Sequence, residues 1–589
     1  MGGEAYPNDP KVPVLFKIEV PLINPTENKF LSHIDMKPYS EFKMENEVIL
    51  PPGSVFTLQG VDSDKDGYMI IKLKLISDVG ALSHEGLIMQ GAMQSKMMTE
   101  TEAKIMCMDG NDLVEAMRHI LGNSLIQEIE FCLCKFDGDC LKKMTEVLQT
   151  MNAIERLKFI SCSFTGNNII QLNSLNTIQK IGIVELDRNF YKVLFPQKGL
   201  CWSHLTSLDL AFVNISKIAS QDIKTLCTDC LQNLSQLESL GLDFTRCFQF
   251  IDQDMANLCS LGLQNLTKLH SLNLNLTSCT ALTDSSLISL SAQGLPPLLN
   301  SLTLAFSSCN LITDNGISSL SSRELLKLAS LSLSICYTSN ISDQSIVNLI
   351  AQYPSLTFLA LDFSHCSQIS HQSLKCLPTT LASLKLHLAD CKQLADSSII
   401  SISTSLLSLT QLTSLDISLS MCSQLTNQAI SYLSSQTLQS LANLTSFSLD
   451  LGGCRVITDD ALKDLASAGL KYLTKLTSLS LNFESCDLTN EGLNAFSLTA
   501  LPYLYLLQSL SLNLYWCSFI NDEALIICFT KGLPNLKSLT SLNLNLSLLW
   551  RLSDQGMQVL CSQGLSQLAH LQSLSIDFSR CEKITDQGL

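Results

Sequence analysis

Roughly four fifths of the chain is built on one recurring pattern of apolar and polar positions. Segments such as "LHSLNLNLTSCTALTD", "LNSLTLAFSSCNLITD", "LTSLSLNFESCDLTNEGL" and "LQSLSIDFSRCEKITDQGL" open with leucines at every second position, the period of a strand that turns one side toward a core. A Thr-Asp pair follows, a residue combination that caps helix N-termini. Beyond it, stretches such as "SSLISLSAQGL" carry apolar residues at helical spacing. Each repeat is therefore expected to hold a strand, a turn, a helix and a return loop. Aligned on one cysteine, the repeats place Cys247, Cys279, Cys309, Cys336, Cys366, Cys391, Cys422, Cys454, Cys486, Cys517 and Cys581 in register. The intervals run from 25 to 32 residues, except for a last one of 64 that skips a slot at Leu549.

This pattern, L-x-L-x-x-C followed by I/L-T-D-x-x-L, resembles the cysteine-containing leucine-rich repeats. The resemblance implies an α/β fold, a curved solenoid of repeats of about 30 residues whose stacking buries the leucine face. Outward strand positions would line its concave side: Asn273 and Asn275, Thr303 and Ala305, Ser332 and Ser334, Asp362, Lys385 and His387, Asp416 and Ser418, Asp450, Asn482, Asn513, Asn545 and Asp577. They are small, polar and mildly acidic, suited to hydrogen-bonding an extended protein partner and holding no ordered catalytic set. The solenoid is expected over residues 113–589, with 113–200 ("IEFCLCKF", "LKFISCSF") as degenerate early repeats. Such repeats also resemble those of ubiquitin-ligase substrate receptors, although no F-box-like segment precedes them.

Charge and cysteine usage narrow the classes. A formal net charge of -16 argues against nucleic acid, which needs a basic stripe, and suits a basic target or a small cation. The 23 cysteines recur at long regular intervals, as buried thiols in a reducing compartment would. No basic-then-apolar leader and no run of about eighteen apolar residues is seen, so a cytoplasmic chain without membrane contact is expected. Cys132, Cys134 and Cys140 lack a histidine or second C-x-x-C pair for zinc, and the spacing of 28 from Cys134 to Cys162 is close to one repeat. Cys227 and Cys230 form a single C-x-x-C in a helical region, where packing competes with redox chemistry. Sequons at Asn265 and Asn443 recur because the repeat itself contains N-L-T.

Residues 1–77 differ in composition, with prolines at 7, 10, 13, 21, 25, 38, 51 and 52. Strands are expected in "VPVLFKIEV", "KFLSHI" and "EVIL", and in "VFTLQGV" and "YMIIKLKLI" around the turn Asp62–Gly67. That turn imitates a calcium loop, but position 12 is Leu73 where a bidentate acid is required, so a hairpin is the better reading. In "FKMENEVILPPGSVF", Glu45 and Glu47 are two apart, and in extended backbone both carboxylates face one side. On spacing alone this is either a solvated acidic turn before an edge strand or a presented pair of acids.

The order "LFKIEV…KFLSHI…YSEFKMENEVILPPGSVFTLQGV…GYMIIKLKLI" resembles the carboxy-terminal half of the arginine-directed mono-ADP-ribosyltransferases over about 65 residues. The resemblance implies that Glu47 is the catalytic glutamate, holding the nicotinamide ribose and stabilising an oxocarbenium-like transition state. It implies that Glu45 orients the acceptor guanidinium and takes its proton. Phe42 falls where the family carries a target-recognising aromatic. NAD would be the substrate, and no metal is required. The family's arginine strand and Ser-x-Ser strand have no counterpart upstream, so either a fragment of a longer enzyme or a decayed gene is expected, with little or no turnover from this chain. A Met-rich linker is expected over 78–112. Two functions follow: an NAD-dependent protein-arginine transferase whose repeats recruit its target, or a non-catalytic interaction scaffold.

Overall fold

The computed structural model describes residues 204–213, 220–321 and 327–585, interrupted stretches between 102 and 184, and five strands before residue 100. The chain divides into two units, Met1–Leu205 and Thr206–Leu589.

In the first unit, Phe56–Ser63 and Met69–Leu75 pair antiparallel with Asp62 opposite Ile70, which is the hairpin expected around Asp62–Gly67. Val14–Glu19 joins Met69–Leu75 in parallel, and Ile34–Asp35 pairs antiparallel with Val48–Ile49. Four strands then run parallel: Glu102–Met106, Glu128–Cys132, Arg156–Ile160 and Lys180–Val184. The first of them lies inside the stretch expected to act as a linker. Helix Gly138–Gln149 is capped by Asp137, whose carboxylate accepts from the Cys140 amide at 2.7 Å. Cys134 Sγ donates to the Ile105 carbonyl and Cys162 Sγ to that of Phe131, so these thiols bridge successive strands.

In the second unit, thirteen five-residue strands from Ser207–Ala211 to Ser573–Asp577 form an all-parallel ladder with no register shift. The second and fourth residues of each strand point inward; Leu272, Leu274 and the following Leu276 are at most 1% exposed. Burying a leucine contributes about 1.5–3 kcal/mol, and every repeat adds several. Past most strands the backbone takes one left-handed residue, from Arg246 (φ 59°) to Arg580 (φ 61°), with Gly453 the single glycine in the row. Its N–H donates to the next repeat, as Ser278 does to the Ser307 carbonyl at 2.8 Å. On the far side a six-residue α-helix such as Asp252–Asn257 widens into a π turn, Leu258–Gly262, and tightens into a 3-10 turn, Leu263–Asn265.

Two side-chain rungs join the repeats. The cysteine that follows the left-handed residue donates to a backbone carbonyl of the preceding repeat: Cys279 to Phe244, Cys391 to Phe363 and Cys517 to Phe483, each at 3.1 Å. Burial pushes the thiols of Cys391, Cys454 and Cys517 up to about 12, so they stay protonated donors. Leu549 fills the skipped slot, fully buried. Cys336 does not belong to this row. It precedes the left-handed Tyr337, and the slot is taken by Thr338, which donates to the Ile335 carbonyl at 2.8 Å. Aligning on the nearest cysteine misplaced that repeat by two residues.

The second rung explains the Thr-Asp pair more fully than capping does. Thr489 caps its own helix by accepting from the Glu491 amide, while its N–H and hydroxyl donate to Asp459 of the repeat before, at 2.8 and 2.6 Å. Asp284, Asp396 and Asp522 hold Thr313, Thr426 and Ser553 in the same way. Asn427 and Asn490 do so through their amides. Two rungs are missing among the described repeats: Ser220 and Ile251 stand in the aspartate and threonine positions at one junction, His371 and Ala395 at another. The repeat of His371 is also the shortest, and a single 3-10 turn, His371–Leu374, replaces its helix. Replacing Asp459 by alanine strands two donors on Thr489 and is expected to lower stability by about 1–3 kcal/mol. Asp459→Asn should keep most of it, as Asn427 does; urea-unfolding midpoints of the two variants check this.

Candidate functional site

The polar side chains that end the strands on the open face are engaged by the fold itself. The asparagine or aspartate that ends a strand accepts from the amide two residues on, closing the turn: Asp243 from Thr245, Asn275 from Thr277, Asn482 from Glu484, Asn513 from Tyr515. Asp362, Asp450, Asn545 and Asp577 do the same. Neighbouring members also bond sideways, Asn275 to Asp243 at 3.1 Å and Asn482 to Asp450 at 2.7 Å. The row expected to meet a partner is thus largely a structural ladder. Serine opens every strand of the second unit except one, where Phe358 stands.

Aromatic, cationic and imidazole side chains on this side gather on consecutive repeats. Strand Phe358–Asp362 pairs with Ser383–His387, setting Ala360 beside Lys385 and Asp362 beside His387; the next strand sets Asp416 beside Lys385. Three consecutive left-handed positions carry Tyr337, His365 and Asp390. The Tyr337 ring, 57% exposed, stacks on His365 with centroids 4.1 Å apart and planes 10° apart. His365 Nδ1 lies 3.0 Å from Asp390 Oδ2, and since a carboxylate only accepts, the proton sits on Nδ1. A second pair, His387 Nε2 to Asp416 Oδ2, spans 3.5 Å. The bond to Asp416 raises the His387 pKa above the usual imidazole range against the effect of burial, and holds the Asp416 carboxyl below its usual range.

This surface offers an exposed aromatic, a half-buried phenyl, one lysine and two imidazole–carboxylate pairs. Neither imidazole is hydrogen-bonded to a hydroxyl or thiol nucleophile among the described residues. The arrangement can stack, donate and accept, which is recognition chemistry. The periodicity placed Asp362, Lys385, His387 and Asp416 on the open face. It missed Tyr337, Phe358, His365 and Asp390; the break in the serine row at Phe358 was the available signal. Phe42, Glu45 and Glu47 lie outside the described residues, although strand Val48–Ile49 begins directly after Glu47. Cys227 and Cys230 are both buried in the turn Leu226–Cys230, with Cys227 pushed up to about 12. Among the described residues no group of three or more histidine, cysteine or acidic side chains could hold a metal, and no helix is long and apolar enough to cross a membrane.

No family model matches the chain and no curated protein matches it, so neither comparison supports the transferase resemblance of the first 77 residues. Among solved structures, the chain is similar to a yeast Rad7–Elc1 complex, at 20% identity over 63% of this chain and 86% of that one, TM-score 0.41. It is similar to a TLR13–ssRNA13 complex, at 16% identity over 82% and 68%, TM-score 0.41. An internalin from Listeria monocytogenes shares 18% identity over 80% and 95%, TM-score 0.29. At such scores the repeat fold of this chain stands on its own hydrogen-bond ladders.

The His387–Asp416 pair has a defined pH window. The raised imidazole contributes stability that is fully present below its unfolded value of about 6.5 and is lost as pH rises through the folded value. The depressed carboxyl contributes above its ordinary range, and that part is lost as pH falls through its folded value. In a pH titration followed by NMR, the His387 midpoint should lie above that of an unfolded-chain histidine and drop in Asp416→Asn.

Proposed function

We propose that this chain is a protein-interaction scaffold whose open sheet face around Tyr337, Phe358, Lys385 and His387 recognises a protein partner. The single observation that supports this reading is the concentration there of aromatic, cationic and imidazole side chains outside the repeat's own ladders. Elsewhere on the face, the asparagines and aspartates that end strands close turns or bond sideways. Aromatic and cationic groups with two imidazole–carboxylate pairs are the material of interface hot spots. Partners captured from a reducing extract by the full chain, quantified by mass spectrometry, should fall on the order of tenfold in Tyr337→Ser/Lys385→Ser. The unfolding midpoint should stay unchanged. An unaltered set of partners in the folded variant would remove this surface from consideration.

A second reading rests on residues 1–77. We propose Glu47 as the glutamate that would act on NAD, Glu45 as the group facing the acceptor guanidinium and Phe42 as the target-contacting aromatic. Its support is the resemblance together with strand Val48–Ile49 directly after Glu47 and the hairpin downstream. With labelled NAD and an arginine-rich acceptor, this chain should transfer little label. An upstream-extended form should transfer more, and lose it in Glu47→Gln. A folded extended form that transfers none would end the reading.

A further inference from the structure

We infer that the turns at Trp516–Phe519 and Trp550–Arg551 form a second docking surface, separate from the open face, for an acidic peptide segment with apolar side chains. Two of the chain's three tryptophans stand here, Trp516 at 44% and Trp550 at 47% exposure, with Phe519 at 46% between them. The parallel bridge between Asn521 and Arg551 sets the two turns side by side. It brings the Arg551 guanidinium to 5.4 Å from the Phe519 ring centroid. The following turn adds Arg580 and Lys583, the latter bridged to Ser553, with one exposed acid, Glu582, against these three cations. Arg551, Arg580 and Lys583 form no ion pair among the described residues.

The fold does not require these groups. In two earlier repeats the matching turns read Ser278, Thr280, Ala281 and Ser308, Asn310, Leu311, with neither an aromatic nor a cationic side chain. Flat indole and phenyl faces held open to water are costly unless something covers them, and tryptophan and arginine lead the residues that anchor interfaces. The occupant follows from charge. The chain carries a formal net charge of -16, so an acidic segment is repelled over most of its surface and attracted only where unpaired cations cluster. Arg551, fixed over Phe519, presents its remaining fork to a carboxylate, and the indoles supply contact area and N–H donors.

The test is a selection of short random peptides displayed on phage. They are bound to the full chain after depletion on Trp516→Ser/Trp550→Ser, whose folding is verified by circular dichroism. Enriched sequences should place Asp or Glu beside Phe, Leu or Trp. A synthetic peptide from that set should bind on the order of tenfold more weakly to Arg551→Glu. It should weaken as salt rises, and be unaffected by Tyr337→Ser/Lys385→Ser, which separates this surface from the open face. Enrichment no greater than on the depleting variant, enriched peptides that are basic or uncharged, or indifference to Arg551→Glu would overturn the inference. So would a labelled single-stranded oligonucleotide that binds through the same tryptophans while no acidic peptide does.

Discussion

A repeat of this chain cannot satisfy its own polar groups; its neighbour does so. The strand amides and carbonyls are shared across a ladder without slip, the thiol reaches back to a carbonyl, and the aspartate reaches forward to a threonine. Apolar burial obeys the same rule. Leu542, covered by a following repeat, is 1% exposed, whereas Leu574 at the same place in the last described strand is 47% exposed. Stability in such an array is a sum of nearest-neighbour terms, so position along the array matters less than the quality of each junction.

One of the two junctions without an aspartate–threonine rung coincides with the candidate site. The repeat between Cys366 and Cys391 is the shortest, has a 3-10 turn in place of a helix and lacks the aspartate–threonine rung. Its strand carries Lys385 and His387, and His365 and Asp390 stand at the left-handed positions at its two ends. A repeat that lacks the forward rung on its helical side is thus chemically distinctive on its sheet side. A junction without that rung has fewer bonds to break on local opening, and the recognition surface sits beside it.

Much of the repeat fold was legible in the sequence because leucine alternation and the Thr-Asp pair report local geometry directly. The errors came where one letter served two structural roles. Cys336 looked like a ladder thiol because it is a cysteine near the right place; the left-handed turn that defines the slot leaves no letter of its own, since Arg246, Tyr337, Asp390 and Trp516 all occupy it. The asparagines and aspartates at strand ends looked like a binding row because their turn-closing bonds run through backbone amides, which have no sequence signature. The useful signal was departure from the pattern, Phe358 among serines and His371 for aspartate. Over residues 1–77, the strands and the hairpin at Asp62–Gly67 were legible from apolar alternation and turn residues, the other pairings were not, and the roles of Glu45 and Glu47 depend on resemblance alone.

The left-handed row sets a local exchange between backbone comfort and side-chain choice. Each non-glycine there carries strain of about 1–2 kcal/mol, least for asparagine, aspartate and histidine. Its side chain points away from the core, so packing constrains it little. At Leu548 or Ser485, an engineer could place asparagine and gain stability without touching a single buried contact. At Tyr337 or Trp516 the same change would trade away a contact aromatic, which makes this row a dial on which thermostability and recognition are set against each other one repeat at a time.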